Sequence, residues 1–177
     1  MLRVTTASLL AWLIAAHAAR PEVIDSQPAG FTVRESRVVA APPEKVWAVL
    51  VAPGAWWDPD HTYSHDARNL SLAPKPGGFW QEALPKGGGV RHMVVIYVAP
   101  PSMLRLEGAL GPLQADGVAG HLTFKLTPQG GGTAITLTYD VGGHAPGGLD
   151  KLAAPVNAVL DAQLGRLRAR AEASGAP

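Results

Sequence analysis

Four side chains or clusters in this 177-residue chain have the chemistry to act in a pocket. His61, His65 and Asp66 form the pattern H-x-x-x-H-D. On a helix, that spacing would put both imidazoles on one face, where they can seat a metal. Pro59 and the turn-rich run DPDHTYSHDARN (residues 58–69) argue against a helix, and no Glu stands between the two His as in a zinc protease. Hydrogen bonding within a loop, by His61, Tyr63, Asp66 and Asn69, is therefore the expected role, and no metal or other cofactor is expected. His92 alternates with Val90, Val94, Ile96 and Val98. An imidazole on that face is either a satisfied core group or, if the face lines a cavity, a proton donor or acceptor. The other face, with Arg91, Met93, Val95 and Tyr97, is also partly apolar, so parity leaves both orientations open. Glu82 alternates with Trp80 and Leu84, whereas Gln81 alternates with Phe79 and Ala83. Pointing inward and desolvated, Glu82 is an acid–base candidate; pointing outward it is a solvated strand-face carboxylate. Gln163 is a lone amide between Leu152 and Val156 on an apolar helix stripe, and a buried amide needs a partner from protein, water or ligand.

These residues must be positioned by a small set of elements. At roughly 100° per residue, Leu149, Leu152, Val156, Val159, Leu160, Leu164 and Leu167 form one stripe of a long closing helix. Asp150, Asn157, Asp161, Arg168 and Glu172 fall on its other side, so the helix lies on an apolar surface. Pro155 starts or kinks it. Upstream, residues 31–41 (FTVRESRVVAA) read as a first strand that Pro42-Pro43 stops, although Glu35 and Arg37 share its apolar face. Residues 44–51 read as a short helix with Pro43 near its first position and Glu44 in its first turn. Ala55-Trp56-Trp57 suits one further turn. Strands are expected at 78–84, 90–99, 103–108, 121–127 and 133–141, the last two joined as a hairpin by Pro128-Gln129-Gly130-Gly131-Gly132. The order predicts an α+β domain: a curved antiparallel sheet of six or seven strands around the C-terminal helix, with one or two short helices after the first strand.

Residues 1–18 have the marks of a signal peptide: Arg3, the apolar run ASLLAWLIAA, and the small-x-small site Ala16-His17-Ala18. Cleavage there would export the protein to the periplasm or medium; an uncleaved N-terminal anchor is the alternative. Residues 19–30, with Pro21, Pro28 and Gly30, read as a linker, 31–173 as the domain and 174–177 as a tail. Without Arg3, 14 Lys and Arg face 14 Asp and Glu, a neutrality that argues against nucleic acid. The Arg166, Arg168, Arg170 run is expected only to complement the helix dipole. With no Cys there are no disulfides and no thiolate chemistry. There is no G-x-S-x-G, and the runs Gly87-Gly88-Gly89 and Gly130-Gly131-Gly132 precede strands, so they are turns and not phosphate cradles.

The segment APPEKVWAVLVAPGAWWDPDH (residues 41–61), the strand PGGFWQEAL (residues 76–84) and the closing amphipathic helix resemble the START-like or SRPBCC superfamily. This is the helix-grip fold of polyketide cyclases, lipid-transfer domains and birch-pollen-type allergens. The Pro-rich turn, the V-W of the short helix and the Trp after it are similar to the heat-shock-ATPase-activator-like branch. An export signal departs from that branch, so a heat-shock ATPase partner is not expected. The resemblance implies a hydrophobic small molecule or lipid held between sheet and helix, with Trp56, Trp57, Trp80, His92, Leu160, Gln163 and Leu164 as candidate contacts. Three functions follow from the resemblance and from the residues above. A binding protein requires an apolar cavity with one or two polar groups. A cyclase- or hydratase-like enzyme acting through His92 or Glu82 requires two titratable groups within hydrogen-bond reach. A surface interaction module requires a filled core and an exposed apolar patch.

Overall fold

The computed structural model describes residues 22–173. The expected signal peptide and the tail lie outside the described residues. Eight strands form one antiparallel sheet in the order β1-β2-β8-β7-β6-β5-β4-β3. In chain order these are β1 (Glu22–Gln27), β2 (Gly30–Val39), β3 (Leu70–Leu72), β4 (Phe79–Ala83), β5 (Gly89–Ala99), β6 (Met103–Gly108), β7 (Gly117–Gln129) and β8 (Gly132–His144). Helix α1 (Pro43–Leu50) follows β2, and helix α2 (Asp150–Ala173) closes the chain across the sheet. The α+β helix-grip architecture expected from the sequence is the one observed.

The longest strands of the sheet form the β7–β8 hairpin, turned by Gly130 and Gly131 at φ 57° and 81°, a region only glycine enters freely. Its register pairs Leu122 with Tyr139, Phe124 with Leu137 and Leu126 with Ile135, all buried. Apolar side chains on alternate residues of both strands therefore form one face, as a half-buried sheet requires. Against that layer α2 buries Leu160, Leu164, Leu167 and Ala171. Each fully buried Leu contributes roughly 1.5–3 kcal/mol of transfer free energy.

Three expectations are revised. Residues 22–27 are not linker but edge strand β1, every residue of which is exposed, which is why no hydrophobic alternation marks it. Together with three-residue β3, it raises the strand count from six or seven to eight. The β1–β2 turn also anchors α2: Pro28 O accepts from Leu149 N at 2.9 Å, and Ser26 Oγ donates to Asp150 O at 3.2 Å. Second, the Trp-rich stretch after α1 forms separate 3-10 turns at Pro53–Ala55 and Pro59–His61, because the prolines break any longer helix. Third, the polar side of α2 is not wholly solvated. Asp161 accepts from Arg37 of β2, and Glu172 Oε1 accepts from Ala40 N at 3.0 Å, so Arg37 and the end of β2 pair with the polar side of α2.

Two bulges shape the far half of the sheet. Trp80 pairs with Met93 and Gln81 with Arg91, leaving His92 as an extra residue on β5; Ile96 is a second extra residue, against β6. A bulge breaks the inside–outside alternation and bends its strand. Hence His92 and Met93, although adjacent, are both buried. Gly108 of β6 faces this bulge at φ 152°, and a Cβ there would lie 2.5 Å from His92 O.

Candidate functional site

Between the sheet and the first half of α2 lies a cavity of about 510 Å³, within the ~300–1,000 Å³ usual for small-molecule sites. Leu152, Val156, Val159 and Leu160 of α2 form its roof. Trp80 of β4, His92 of β5 and Tyr139 of β8 form its floor. Trp57 and Tyr63 from the loop after α1, with Leu110 and Leu113 from the turn after β6, complete its sides. Trp57 and Trp80 meet edge to face, ring centres 4.9 Å apart, giving an aromatic wall.

The polar centre is Glu82 with His92. Glu82 faces inward and is almost fully buried. Its Oε1 accepts from Ser64 N at 2.5 Å and its Oε2 from Tyr63 N at 3.2 Å; Oε2 also lies 3.1 Å from His92 Nε2. Burial alone would raise the carboxyl pKa, but the bonds from Ser64, Tyr63 and His92 outweigh it and hold the group below the usual carboxylate range. Glu82 is thus ionised and can only accept. His92 must therefore donate Nε2–H to it, which leaves Nδ1 as an unprotonated lone pair. Burial lowers the pKa of His92, and Glu82 only partly restores it, so the ring is neutral at pH 7. Nδ1 is buried and has no hydrogen-bond partner.

The aromatic hydroxyls around this ring are already engaged. Tyr63 stacks on His92, ring centres 6.0 Å apart, and its hydroxyl donates to Gly111 O at 2.9 Å, tying the two loops together across the site. Tyr139 Oη accepts from Leu110 N at 3.1 Å, and burial pushes its pKa up to about 12. Its phenol stays neutral.

The residues proposed from sequence divide cleanly. Trp57, Trp80, His92 and Leu160 line the cavity; Trp56, Gln163 and Leu164 do not. Trp56 is buried core with its Nε1 donating to Leu50 O at 3.3 Å. Leu164, one helical turn beyond Leu160, lies past the cavity's end and is also core. Gln163 is fully buried; its Oε1 accepts from Asp58 N at 2.9 Å, while its Nε2 is buried without a partner. Arg166, expected only to complement the helix dipole, donates Nε–H to Trp56 O at 3.2 Å and lies 3.7 Å from Asp58. Gln163 and Arg166 together clamp residues 56–58, which carry Trp57 to the cavity. Asp66 accepts from Arg68 N at 3.0 Å and pairs with its guanidinium. Among the described residues no cluster of three His, Cys, Asp or Glu is placed to hold a metal ion. Tyr63, expected only to hydrogen-bond within its loop, lines the cavity, and so does the Leu110–Leu113 turn, on which the sequence raises no expectation at all, since nothing local marks a loop residue as a cavity wall.

This geometry defines a helix-grip protein with a ligand-sized cavity under its long helix. Residues 30–172 match the family described as polyketide cyclase / dehydrase and lipid transport, and the chain belongs to that family. Its fold is thus a ligand-binding one. Similar solved structures include a protein from Mesorhizobium loti (19% identity, TM-score 0.61, covering 82% of this chain and 99% of that one). Another, from Rhizobium leguminosarum, is 22% identical with TM-score 0.58, covering 80% and 94%. The Aha1 dimer from Colwellia psychrerythraea is 19% identical with TM-score 0.57, covering 82% and 98%. At these identities the likeness is one of fold. No curated protein matches the chain. Among the described residues no helix is long and apolar enough to cross a membrane.

Proposed function

We propose that the protein binds a small hydrophobic molecule, lipid-like or aromatic, in the cavity under α2. The observation that carries this reading is the cavity itself: an apolar roof of Leu152, Val156, Val159 and Leu160 set over the aromatic Trp57–Trp80 wall. A void of this size lined by apolar groups stabilises a hydrophobic guest by removing its surface from water. Export is part of the proposal, supported by the pattern of residues 7–18, and N-terminal sequencing of the mature chain should then begin near Ala19.

Glu82 and His92 also lie within hydrogen-bond reach, which favours a second reading as an acid–base enzyme. Against it, the Glu82 carboxylate is already taken by two backbone N–H groups and His92, so within this pair only His92 Nδ1 is left for a guest. The test is native mass spectrometry of the protein purified from its own host, followed by extraction and identification of the bound molecule. A co-purifying hydrophobic compound, lost from a Val156→Trp variant that still folds, supports binding. Repeated recovery of empty protein that also takes up no hydrophobic probe overturns it.

A further inference from the structure

A residue of the cavity floor carries a polar atom without a partner. His92 Nδ1 is buried and without a partner, on a ring that lines the cavity and is only 6% exposed. A buried acceptor left unpaired is destabilising, so a guest that supplies a donor gains more than its contact area alone would give. Glu82 fixes which nitrogen this is. As an ionised acceptor held by Tyr63 N and Ser64 N, it claims the Nε2–H and leaves Nδ1 as the lone pair. Beside it the indole N–H of Trp80 is buried and unpaired as well, on a ring 6.3 Å from the imidazole centre to centre. An orphan acceptor and an orphan donor on neighbouring rings suit a group that both donates and accepts.

Charge narrows the choice further. Among the described residues that line the cavity there is no Lys or Arg; Asp60 and His61 stand in its exposed wall, and Glu82 lies behind His92. A carboxylate would bring a second lone pair to Nδ1 and find no Lys or Arg. An ammonium would have to leave water for an apolar chamber where, at the His92 end, the Glu82 carboxylate is already hydrogen-bonded. Building on the binding function proposed above, we infer that the ligand is an uncharged apolar molecule bearing a hydroxyl, an alcohol or a phenol, whose O–H donates to His92 Nδ1. Glu82 is then a positioning residue: it sets the tautomer and the angle of the ring that reads the hydroxyl.

The test is calorimetric titration of the full chain with four probes of one shape: 2-naphthol, naphthalene, 2-naphthoate and 2-naphthylmethylammonium. The expected order places 2-naphthol about tenfold tighter than naphthalene, the worth of satisfying one buried polar group, with both ions weaker than naphthalene. His92→Phe should bring 2-naphthol down to naphthalene while naphthalene binding persists. In case that variant does not fold, nitrogen-15 NMR of the wild-type imidazole gives a second readout. The Nδ1 resonance should move with 2-naphthol and stay with naphthalene. Naphthalene and 2-naphthol binding equally, a preference for either ion, or an unmoved Nδ1 resonance overturns this assignment and leaves the hydrophobic cavity standing. Failure of all four probes overturns the cavity reading with it.

Discussion

Replacing Glu35 by Gln should make the protein more stable at pH 8 and leave it unchanged near pH 4. Glu35 sits on the inner face of β2, paired in register with Leu137 of β8, and its side chain is fully buried with neither oxygen hydrogen-bonded. Burial raises its pKa from 4.5 to about 7, with the positive charge of Arg37 pulling the other way. Below pH 4.5 the proton is bound in folded and unfolded chains alike, and the group adds no penalty. Between pH 4.5 and about 7 the unfolded chain releases its proton while the folded one keeps it, so stability falls as pH rises. Above pH 7 the loss saturates. Each pH unit of that window costs about 1.4 kcal/mol, so the full loss is about 3 kcal/mol. Gln keeps the shape and removes the titration, so the difference between variant and wild type isolates this group from every other. Urea unfolding at pH 4, 5, 6, 7 and 8 should show the two chains diverging between pH 4.5 and 7. By pH 8 a thermal melt should differ by about 6–12 °C. Curves that run parallel over that window, or a variant less stable at pH 8, would refute the assignment of a buried, unpaired carboxyl.

Two further substitutions probe the loop over the site. Gln163→Leu removes the acceptor of Asp58 N–H and should cost about 1 kcal/mol of stability, with 2-naphthol affinity unchanged; altered ligand preference at unaltered stability would return Gln163 to the cavity. Tyr63→Phe removes the bond to Gly111 O. Stopped-flow fluorescence should show faster ligand release, with stability altered by less than ~1 kcal/mol, and an unchanged release rate would show that this tie does not gate the site.

The fold is legible in the sequence because it rests on periodicity. The 3.6-residue stripe of α2 and the strict alternation of Leu122, Phe124 and Leu126 against Ile135, Leu137 and Tyr139 leave little choice of architecture. What stays hidden depends on departures from period. The facing of His92 cannot be read from parity, because two bulges shift β5 by a residue each. Strand β1 carries no buried residue and so leaves no pattern. Gln163 is visibly out of place on its stripe, but its partner Asp58 is 105 residues away and offers only a backbone N–H, which no side-chain pattern reveals. Trp56 and Trp57 are separable only in part: adjacent residues diverge, and which one meets the cavity is decided by the proline-broken turns around them.

Helix α2 performs two jobs at different places along its length. Leu152, Val156 and Val159 face the cavity and are only partly buried, whereas Leu164, Leu167 and Ala171, farther on, are locked into the core. The size and shape of the chamber can therefore drift in evolution, or be redrawn by an engineer, through the first turns of one helix. The later turns keep the same helix seated, so a lineage of such proteins can reshape its chamber many times without renegotiating its fold.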